Sequence, residues 1–310
     1  MSASDFRDPR LTEQRNPRTE RIDVASTLEV VDAINAEDRT VAEVVHGVRE
    51  ALAKAVDLIV ARFQQGGRLI YVGAGTSGRL GVLDAAECPP TFGTPPEQVV
   101  GVIAGGYAAL VKSAEGAEDD VNAGMAAMDA QRVTDKDIVI GIAASGTTPF
   151  VRAALGRAQT IGAATGLMSC SPPPKILADT CDVLILPLVG PEVLTGSTRM
   201  KAGTATKLVL NTLTTGAMIR LGRCYGNLMV DLLAVSDKLK DRGERIVMEC
   251  CAVDRAAARR TITAAEGSVK LAIVMARRGV DRAAAQRLLD AAGGFVRRAV
   301  GDPPPVTKAT

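Results

Sequence analysis

The chain has 310 residues, 47% of them hydrophobic, and a formal net charge of +2. This length allows one large domain or two with a substantial core, and the small net charge argues against a polyelectrolyte role on nucleic acid or membrane. Six cysteines without a Cys-x-x-Cys motif, and a single histidine, argue against a disulfide framework or a zinc site and fit a reduced cytoplasm.

The first 24 residues are polar and contain two prolines, which predicts an extended arm rather than a helix. They contain no apolar signal core, and no later apolar run approaches the ~18 residues needed to span a bilayer, so we expect a soluble, cytoplasmic protein. Ser26-Thr-Leu-Glu29 and Thr40-Val-Ala-Glu43 both have capping-box spacing. They predict a short helix and then a long one, with an apolar stripe from Val41 to Val60.

The most informative stretch follows this helix. Leu69–Val72 is a short apolar run that predicts a buried strand. Gly73, Gly75 and Gly78 predict a turn in which a ligand can approach backbone N–H groups, and a helix then runs from about Gly78 until Pro89-Pro90 closes it. A strand, a Gly-rich turn and a helix N-terminus together favour anion binding.

Strands and helices then alternate. We predict strands at residues 99–103, 137–142, 163–168 and 182–186, and helices at 117–130, from 149 through 155, and at 198–221. Apolar runs unbroken by polar residues indicate an α/β fold whose parallel sheet is covered on both faces. Beyond about Leu228 we predict only Ala/Arg-rich helices, with breaks at Asp254 and near Gly279. This helical part is mildly basic, but Phe295 is its only aromatic residue, which favours solvated Arg-rich helix faces over nucleic-acid binding.

The glycines of the turn also match a dinucleotide-binding fingerprint. That interpretation requires an acidic residue at the end of the second strand to hold a ribose. The second strand instead runs into Ala104-Gly105-Gly106, which disfavours a nicotinamide or flavin cofactor.

Three strand-end segments carry hydroxyl groups, namely Thr76-Ser77, Ser145-Gly-Thr-Thr148 and Gly196-Ser-Thr198. In a parallel sheet such segments gather at the carboxyl edge, where ligands bind. Hydroxyls and backbone amides at helix starts can hold a phosphate without a metal. Each segment alone is also explained by ordinary N-caps and turns, but all three together favour phosphate binding.

Several carboxylates follow the first two strands. Asp119 and Asp120 are explained as partners of a helix dipole. Glu87 and one of Glu115 or Glu118 follow neighbouring strands and could face one ligand. Such a pair would allow one group to remove a proton while the other protonates a leaving group.

Five segments of the chain resemble the N-acetylmuramic acid 6-phosphate etherase family. They are Thr12–Pro17, Tyr71–Gly93, Glu115–Asp119, Gly190–Lys207 and Gly226–Asp231. The resemblance covers nearly the whole chain, and the motif Gly190–Lys207 is shared with the related glucokinase regulatory protein, which binds sugar phosphates without catalysis.

The resemblance implies a sugar isomerase (SIS) domain with a flavodoxin-like parallel sheet, followed by a helical module similar to ubiquitin-associated domains. It also implies a homodimer with sites near the subunit interface and no metal or nucleotide cofactor. The implied reaction removes lactate from the 3-ether of N-acetylmuramic acid 6-phosphate and leaves N-acetylglucosamine 6-phosphate.

By motif, the resemblance makes Glu118 the base at C2 and Glu87 the acid that protonates departing lactate. Glu115 then has a supporting role. The implied substrate-binding residues are Gly75, Thr76, Ser77, Glu115, Ser145, Gly146, Thr147, Thr148, Glu192, Ser197, Thr198 and Lys201. Thr147 stands where relatives often carry a basic residue, and Tyr107 where they often carry His, so affinity or the preferred substituent could differ.

The expected organisation is an N-terminal arm with helices (residues 1–50), the SIS domain (51–235), the helical module (236–300) and a disordered tail (301–310). Two other functions stay open at this point. One is a non-catalytic sugar-phosphate sensor, and the other is an aldose–ketose phosphate isomerase, which needs the same C2 proton removal.

Overall fold

The computed structural model describes residues 10–232 and 237–303. The predicted start of the arm (1–9) and the end of the tail (304–310) lie outside them. The chain divides into two compact units. The first comprises residues up to 86 and residues 96–214, and the second comprises 87–95 and the residues from 215 onward.

The first unit is built on a five-stranded parallel sheet. Its strands are β1 (Leu69–Gly73), β2 (Val99–Ile103), β3 (Ile138–Ile142), β4 (Ala164–Met168) and β5 (Val183–Ile185). Their order is β2-β1-β3-β4-β5, the flavodoxin-like order. The expected α/β fold with a parallel sheet is therefore confirmed. β1, β3 and β4 are buried along their whole length, which accounts for their largely apolar sequences.

Eight helices accompany the sheet in the part of the chain that the structure describes up to residue 220. They are α1 (Thr27–Asp38), α2 (Val41–Gly47), α3 (Arg49–Gln64), α4 (Gly75–Phe92), α5 (Val121–Ala130), α6 (Pro149–Ile161), α7 (Lys175–Thr180) and α8 (Lys201–Arg220). Helices α5 and α6 bury Met128, Phe150 and Leu155 against Ile70 and Val139 of the sheet.

The three helices before the sheet, α1 to α3, differ from the prediction in two respects. The capping box at Ser26 is confirmed, since Ser26 Oγ accepts from Glu29 N and the Glu29 carboxylate accepts from Ser26 N. The second box is wrong, because the Thr40 hydroxyl donates to the Glu37 carbonyl and does not cap α2. The single long helix is also wrong, since it is interrupted at Val48 between α2 and α3.

Two other helix ends were predicted incorrectly. Pro89 and Pro90 lie inside α4 instead of closing it, and the Gly93 N–H still bonds to the Pro89 carbonyl. The fixed φ of proline is compatible with helix, although each proline lacks the N–H for one helical hydrogen bond. Helix α5 begins at Val121 rather than near 117, because the Asp120 carboxylate caps it by accepting from Ala123 N.

The second unit contains a short hairpin and five helices among its described residues. The elements are β6 (Cys224–Tyr225), β7 (Leu228–Met229), α9 (Asp237–Cys251), α10 (Arg255–Ala264), α11 (Val269–Arg278), α12 (Arg282–Ala291) and α13 (Val296–Val300). The hairpin was not predicted. The predicted breaks are confirmed, because Asp254 and Asp281 are side-chain N-caps and Gly279 ends α11 with φ +62°. Within the described residues, no helix combines the length and apolarity needed to cross a membrane.

Candidate active site

The turn from β1 into α4 is tightly packed. A Cβ on Gly78 would lie 2.6 Å from Ile103 Cγ1 and 2.8 Å from the Gly73 carbonyl oxygen. A Cβ on Gly73 would in turn meet Gly78 N at 2.6 Å. Gly73 and Gly78 are thus required for the close contact between the start of α4 and the sheet. Of the three glycines, Gly75 has φ +52° and open space around it, so it is the one placed to face a ligand.

A cleft of about 320 Å³ opens at the carboxyl ends of β1 and β2. Its lining includes Gly75 and Arg79 from α4 together with Glu115 and Glu118 from the segment that follows β2. The volume is at the small end of the roughly 300–1,000 Å³ range of ligand pockets. The structure therefore brings three predicted site residues, Gly75, Glu115 and Glu118, to one cleft.

The segment that carries both glutamates folds over the end of β2. Gly105 has φ +81°, and a Cβ there would lie 2.7 Å from Ala114 Cβ and 3.4 Å from Ala117 Cβ. Residue 105 must therefore be glycine for the segment from Ala114 to Ala117 to pack this closely against it. Glu118 follows directly in a 3-10 turn, Ala117–Asp119, and its side chain is exposed to solvent like that of Glu115.

Arg79 was not predicted as a site residue. It lies one helical turn after Gly75, so both residues occupy the same face of α4. Its Nε donates to the Leu110 carbonyl at 2.9 Å, which ties α4 to the chain after β2. The spacing from the Gly-rich turn was the only signal in the sequence.

The second predicted catalytic residue, Glu87, has an exposed side chain on α4. It is not among the residues that line the cleft. The expectation that prolines lock it at a helix end does not hold, since α4 continues through Pro89 and Pro90 to Phe92.

The hydroxyl segment after β3 leads into the N-terminus of α6. Ser145 Oγ lies 3.0 Å from Thr147 Oγ1 and accepts from Thr147 N at 3.3 Å. Gly146 has φ +74°, and a Cβ there would meet Ser169 Oγ at 2.9 Å. Thr148 is the N-cap of the 13-residue helix but makes no side-chain capping bond. Hydroxyls and helix N–H groups of this kind favour a phosphate.

Glu192 and Lys201, both predicted to bind substrate, have buried side chains that bond to other protein groups. The buried Glu192 carboxylate accepts from the N–H groups of Lys201 and Ala202, both at 2.9 Å, and so caps α8. Burial raises the pKa of Glu192 above its usual value, although the two hydrogen bonds from backbone N–H groups act in the opposite direction. The Lys201 ammonium donates to Glu37 Oε2 at 2.6 Å and to the Val189 carbonyl at 2.9 Å. Both side chains are enclosed by protein, and in this structure they position the start of α8.

The start of α8 lies near the other hydroxyl residues. A Cβ on Gly203 would be 3.5 Å from the Thr198 carbonyl oxygen and 3.7 Å from Thr76 Cγ2. The backbone N–H of Cys170, just after β4, donates to the Ala144 carbonyl at 3.0 Å, and Cys170 Sγ lies 4.0 Å from the Ala202 carbonyl oxygen. Thr76, Ser77, Ser197 and Thr198 are all partly exposed. The structure therefore gathers the hydroxyl segments at the carboxyl edge of the sheet.

The groups at this edge of the sheet can transfer protons beside an anion-binding site. Carboxylates can act as base and acid, and hydroxyls with helix N–H groups can bind phosphate. Among the described residues, no group of three or more His, Cys, Asp or Glu side chains could hold a metal ion.

Comparisons with known proteins give relatives along most of the chain. Residues 51–159 match the model of the glucokinase regulatory protein N-terminal SIS domain. The chain is 54% identical to the N-acetylmuramic acid 6-phosphate etherase of Actinobacillus pleuropneumoniae over 86% of this chain and 87% of that protein. It is 52% identical to the enzyme of that name from Pasteurella multocida over 86% of this chain and 88% of that protein. A solved phosphoheptose isomerase from Neisseria gonorrhoeae is 18% identical, with a TM-score of 0.47, over 62% of this chain and 98% of that chain.

Proposed function

Because the chain belongs to the N-acetylmuramic acid 6-phosphate etherase family, we propose that it cleaves the lactyl ether of N-acetylmuramic acid 6-phosphate. The products are D-lactate and N-acetylglucosamine 6-phosphate, as required for recycling of a cell-wall amino sugar. The observation that carries this proposal is the identity of 52% and 54% to two etherases over 86% of the chain.

The reaction is an elimination followed by addition of water. In the ring-opened sugar the C2 proton is α to the C1 aldehyde, and the lactyl ether at C3 is β to it. Removal of the C2 proton and protonation of the ether oxygen expel lactate and leave a C2–C3 double bond. Water then adds at C3 and a proton returns to C2. One base and one acid are therefore sufficient, and no step assigns a role to a metal or nucleotide.

Glu118 is the proposed base at C2, which its position in the cleft beside Gly75 supports. Glu87 is the proposed acid at the ether oxygen, and later the group that activates water; this role rests on its motif. Glu115 lines the same cleft as Glu118 and has the supporting role.

The 6-phosphate is proposed to bind at the gathered hydroxyl segments. Ser145, Gly146, Thr147 and Thr148 would hold it at the N-terminus of α6, with Thr76, Ser77, Ser197 and Thr198 beside them. Thr147 is already oriented by Ser145, which supports a preformed site. Tyr107 is 84% exposed and is a candidate for tuning the preferred substituent.

Three further features of the protein are proposed. They are a homodimer, a cytoplasmic location, and a ubiquitin-associated-like fold for the helices of the second unit. Light scattering of the purified protein at micromolar concentration tests the first, with twice the 32.2 kDa chain mass as the expected result.

The decisive experiment mixes the purified protein with N-acetylmuramic acid 6-phosphate and measures D-lactate with a lactate dehydrogenase assay. N-acetylglucosamine 6-phosphate, which has no ether, is the control and should give none. Release of lactate together with N-acetylglucosamine 6-phosphate supports the proposal. Binding without lactate release would indicate a sensor, and formation of a ketose phosphate would indicate an isomerase.

A further inference from the structure

The cleft that contains Glu115 and Glu118 has one cationic side chain among its described lining residues, Arg79. We propose that the Arg79 guanidinium binds the carboxylate of the substrate's lactyl group and so selects the 3-lactyl ether over the unsubstituted amino sugar phosphate. This inference rests on the proposed function, because only that substrate brings a carboxylate to C3.

The guanidinium is held in a defined position. Arg79 lies one turn into α4, on the face that carries Gly75, and its Nε bonds to the Leu110 carbonyl at 2.9 Å. The Nε–H is one of five guanidinium donors, and the two Nη groups carry the other four. A guanidinium fixed at Nε presents a planar fork that matches the two oxygens of a carboxylate. The side chain is half-buried, which strengthens such a contact relative to one in open solvent.

The charge of the cleft also requires a cation for this substrate. A lactyl carboxylate that enters beside Glu115 and Glu118 would meet two further negative charges, and like charges at close range repel. Among the described residues, no ion pair joins the Arg79 guanidinium to Glu115 or Glu118, so neither carboxylate of the cleft already neutralises it. Arg79 is therefore the group that offsets the repulsion.

The position of the base favours the lactyl carboxylate over the phosphate as the partner of Arg79. Glu118 must reach C2, and the lactyl ether is on the adjacent carbon, C3. The phosphate is on C6, four carbons from C2. None of the predicted phosphate-binding hydroxyls lines the described cleft, so the anion that comes near Arg79 is the one at C3.

The test compares the variant Arg79→Gln with wild type in two measurements. The first is kcat/KM for lactate release from N-acetylmuramic acid 6-phosphate, which should fall about 10- to 100-fold, mainly through KM, as expected for loss of a charged hydrogen-bonded pair. The second is the dissociation constant of N-acetylglucosamine 6-phosphate, which has the phosphate but no carboxylate. This dissociation constant should change by less than about threefold, because the ligand has no carboxylate for Arg79 to bind. A tenfold weakening would mean that the variant had lost an interaction with this ligand as well.

Lys112 is an exposed cation two residues after Leu110, and it does not line the cleft. Lys112→Gln is therefore the matched control. Weakened binding of both ligands in Arg79→Gln would show that Arg79 serves the phosphate or the shape of the cleft, and would overturn the inference. An unchanged KM for the lactyl substrate would overturn it equally.

A measurement on the wild-type protein makes the test independent of how the variant folds. A substrate whose lactyl carboxylate is converted to the neutral amide should lose the same factor in kcat/KM as Arg79→Gln loses with the normal substrate. In Arg79→Gln, replacing the carboxylate by the amide should lower kcat/KM little further, because the guanidinium that would bind the carboxylate is already absent. If wild type releases no lactate, the proposed function fails; if it does and the amide is processed equally well, only this inference fails.

Discussion

Lys201 Nζ and Glu37 Oε2 form a buried ion pair 2.6 Å apart, although 164 positions separate the two residues in the chain. The Lys201 and Glu37 side chains are 1% and 3% exposed. Arg18 adds a second cation to Glu37, with Nε 2.5 Å from Oε1, but its side chain is 66% exposed. The pair connects α1 to the start of α8, whose first N–H groups bond to Glu192. The N-terminal arm and helix thus position the segment that carries Ser197 and Thr198.

Replacing Glu37 with Gln should destabilise the protein by about 3–5 kcal/mol, because the buried Lys201 ammonium would lose its counter-charge. Arg18→Gln should cost less than Glu37→Gln, since the Arg18 side chain is 66% exposed and Lys201 still pairs with Glu37. Urea unfolding followed by circular dichroism measures both changes.

The double variant Glu37→Leu with Lys201→Met provides the matching control. Replacing a buried pair by apolar side chains is often neutral, so much of the lost stability should return. Equal costs for Glu37→Gln and Arg18→Gln would contradict the view that Lys201 depends on Glu37.

The stability contributed by Glu37 should depend on pH. The hydrogen bond from Arg18, assisted by Lys201, lowers the pKa of Glu37 from 4.5 to about 2. A carboxyl whose folded-state pKa is lowered stabilises the fold above its unfolded pKa and loses that contribution as pH falls through the folded value. The free energy of unfolding of wild type minus that of Glu37→Gln should therefore be constant above about pH 5 and shrink between pH 4.5 and 2. A difference that stays flat across this window would contradict the assignment.

The sheet could be predicted because its strands are short apolar runs separated by turn residues. Helix interruptions could not be predicted in the same way. The apolar stripe continues across Val48, so the periodicity gives no sign that α2 and α3 are separate. Pro89 and Pro90 are typical helix ends, yet their fixed φ fits a helix that continues for less than one turn beyond them.

The candidate site was predictable where its residues are local. Gly75, Glu115 and Glu118 follow adjacent strands, and the structure brings them to one cleft. The pairing of Lys201 with Glu37 depends on tertiary packing and is invisible to a local pattern, so no sequence pattern indicates that the Lys201 side chain is buried against α1. Arg79 was missed because a lone arginine on a helix usually faces solvent.

Glu118→Gln should lower lactate release by about 10²- to 10⁴-fold, the usual contribution of a general base. It should also abolish exchange of the C2 proton in deuterated water, measured by NMR. Glu87→Gln should block lactate release to a similar extent yet retain C2 exchange, because the proposed acid acts after the proton is removed.

Glu115→Gln should have a smaller effect, under about tenfold, since Glu115 lines the cleft without a proposed proton transfer. Glu97→Gln is the matched control, because Glu97 is an exposed carboxylate that does not line the cleft. Wild-type turnover in Glu118→Gln would rule out the assigned base, and loss of exchange in Glu87→Gln would reverse the two roles.

Gly101→Ala should destabilise the first unit by about 1–3 kcal/mol, the typical cost of overpacking. A Cβ on Gly101 in β2 would lie 2.5 Å from Val82 Cα, a backbone atom of α4 that cannot rotate away. Relief therefore requires α4 to move from the sheet. Gly156→Ala is the control, because its Cβ would meet nothing within 4 Å inside α6 and alanine favours helix by up to about 1 kcal/mol. Urea midpoints should thus move in opposite directions, and a shared direction would contradict the packing of α4 on β2 described above.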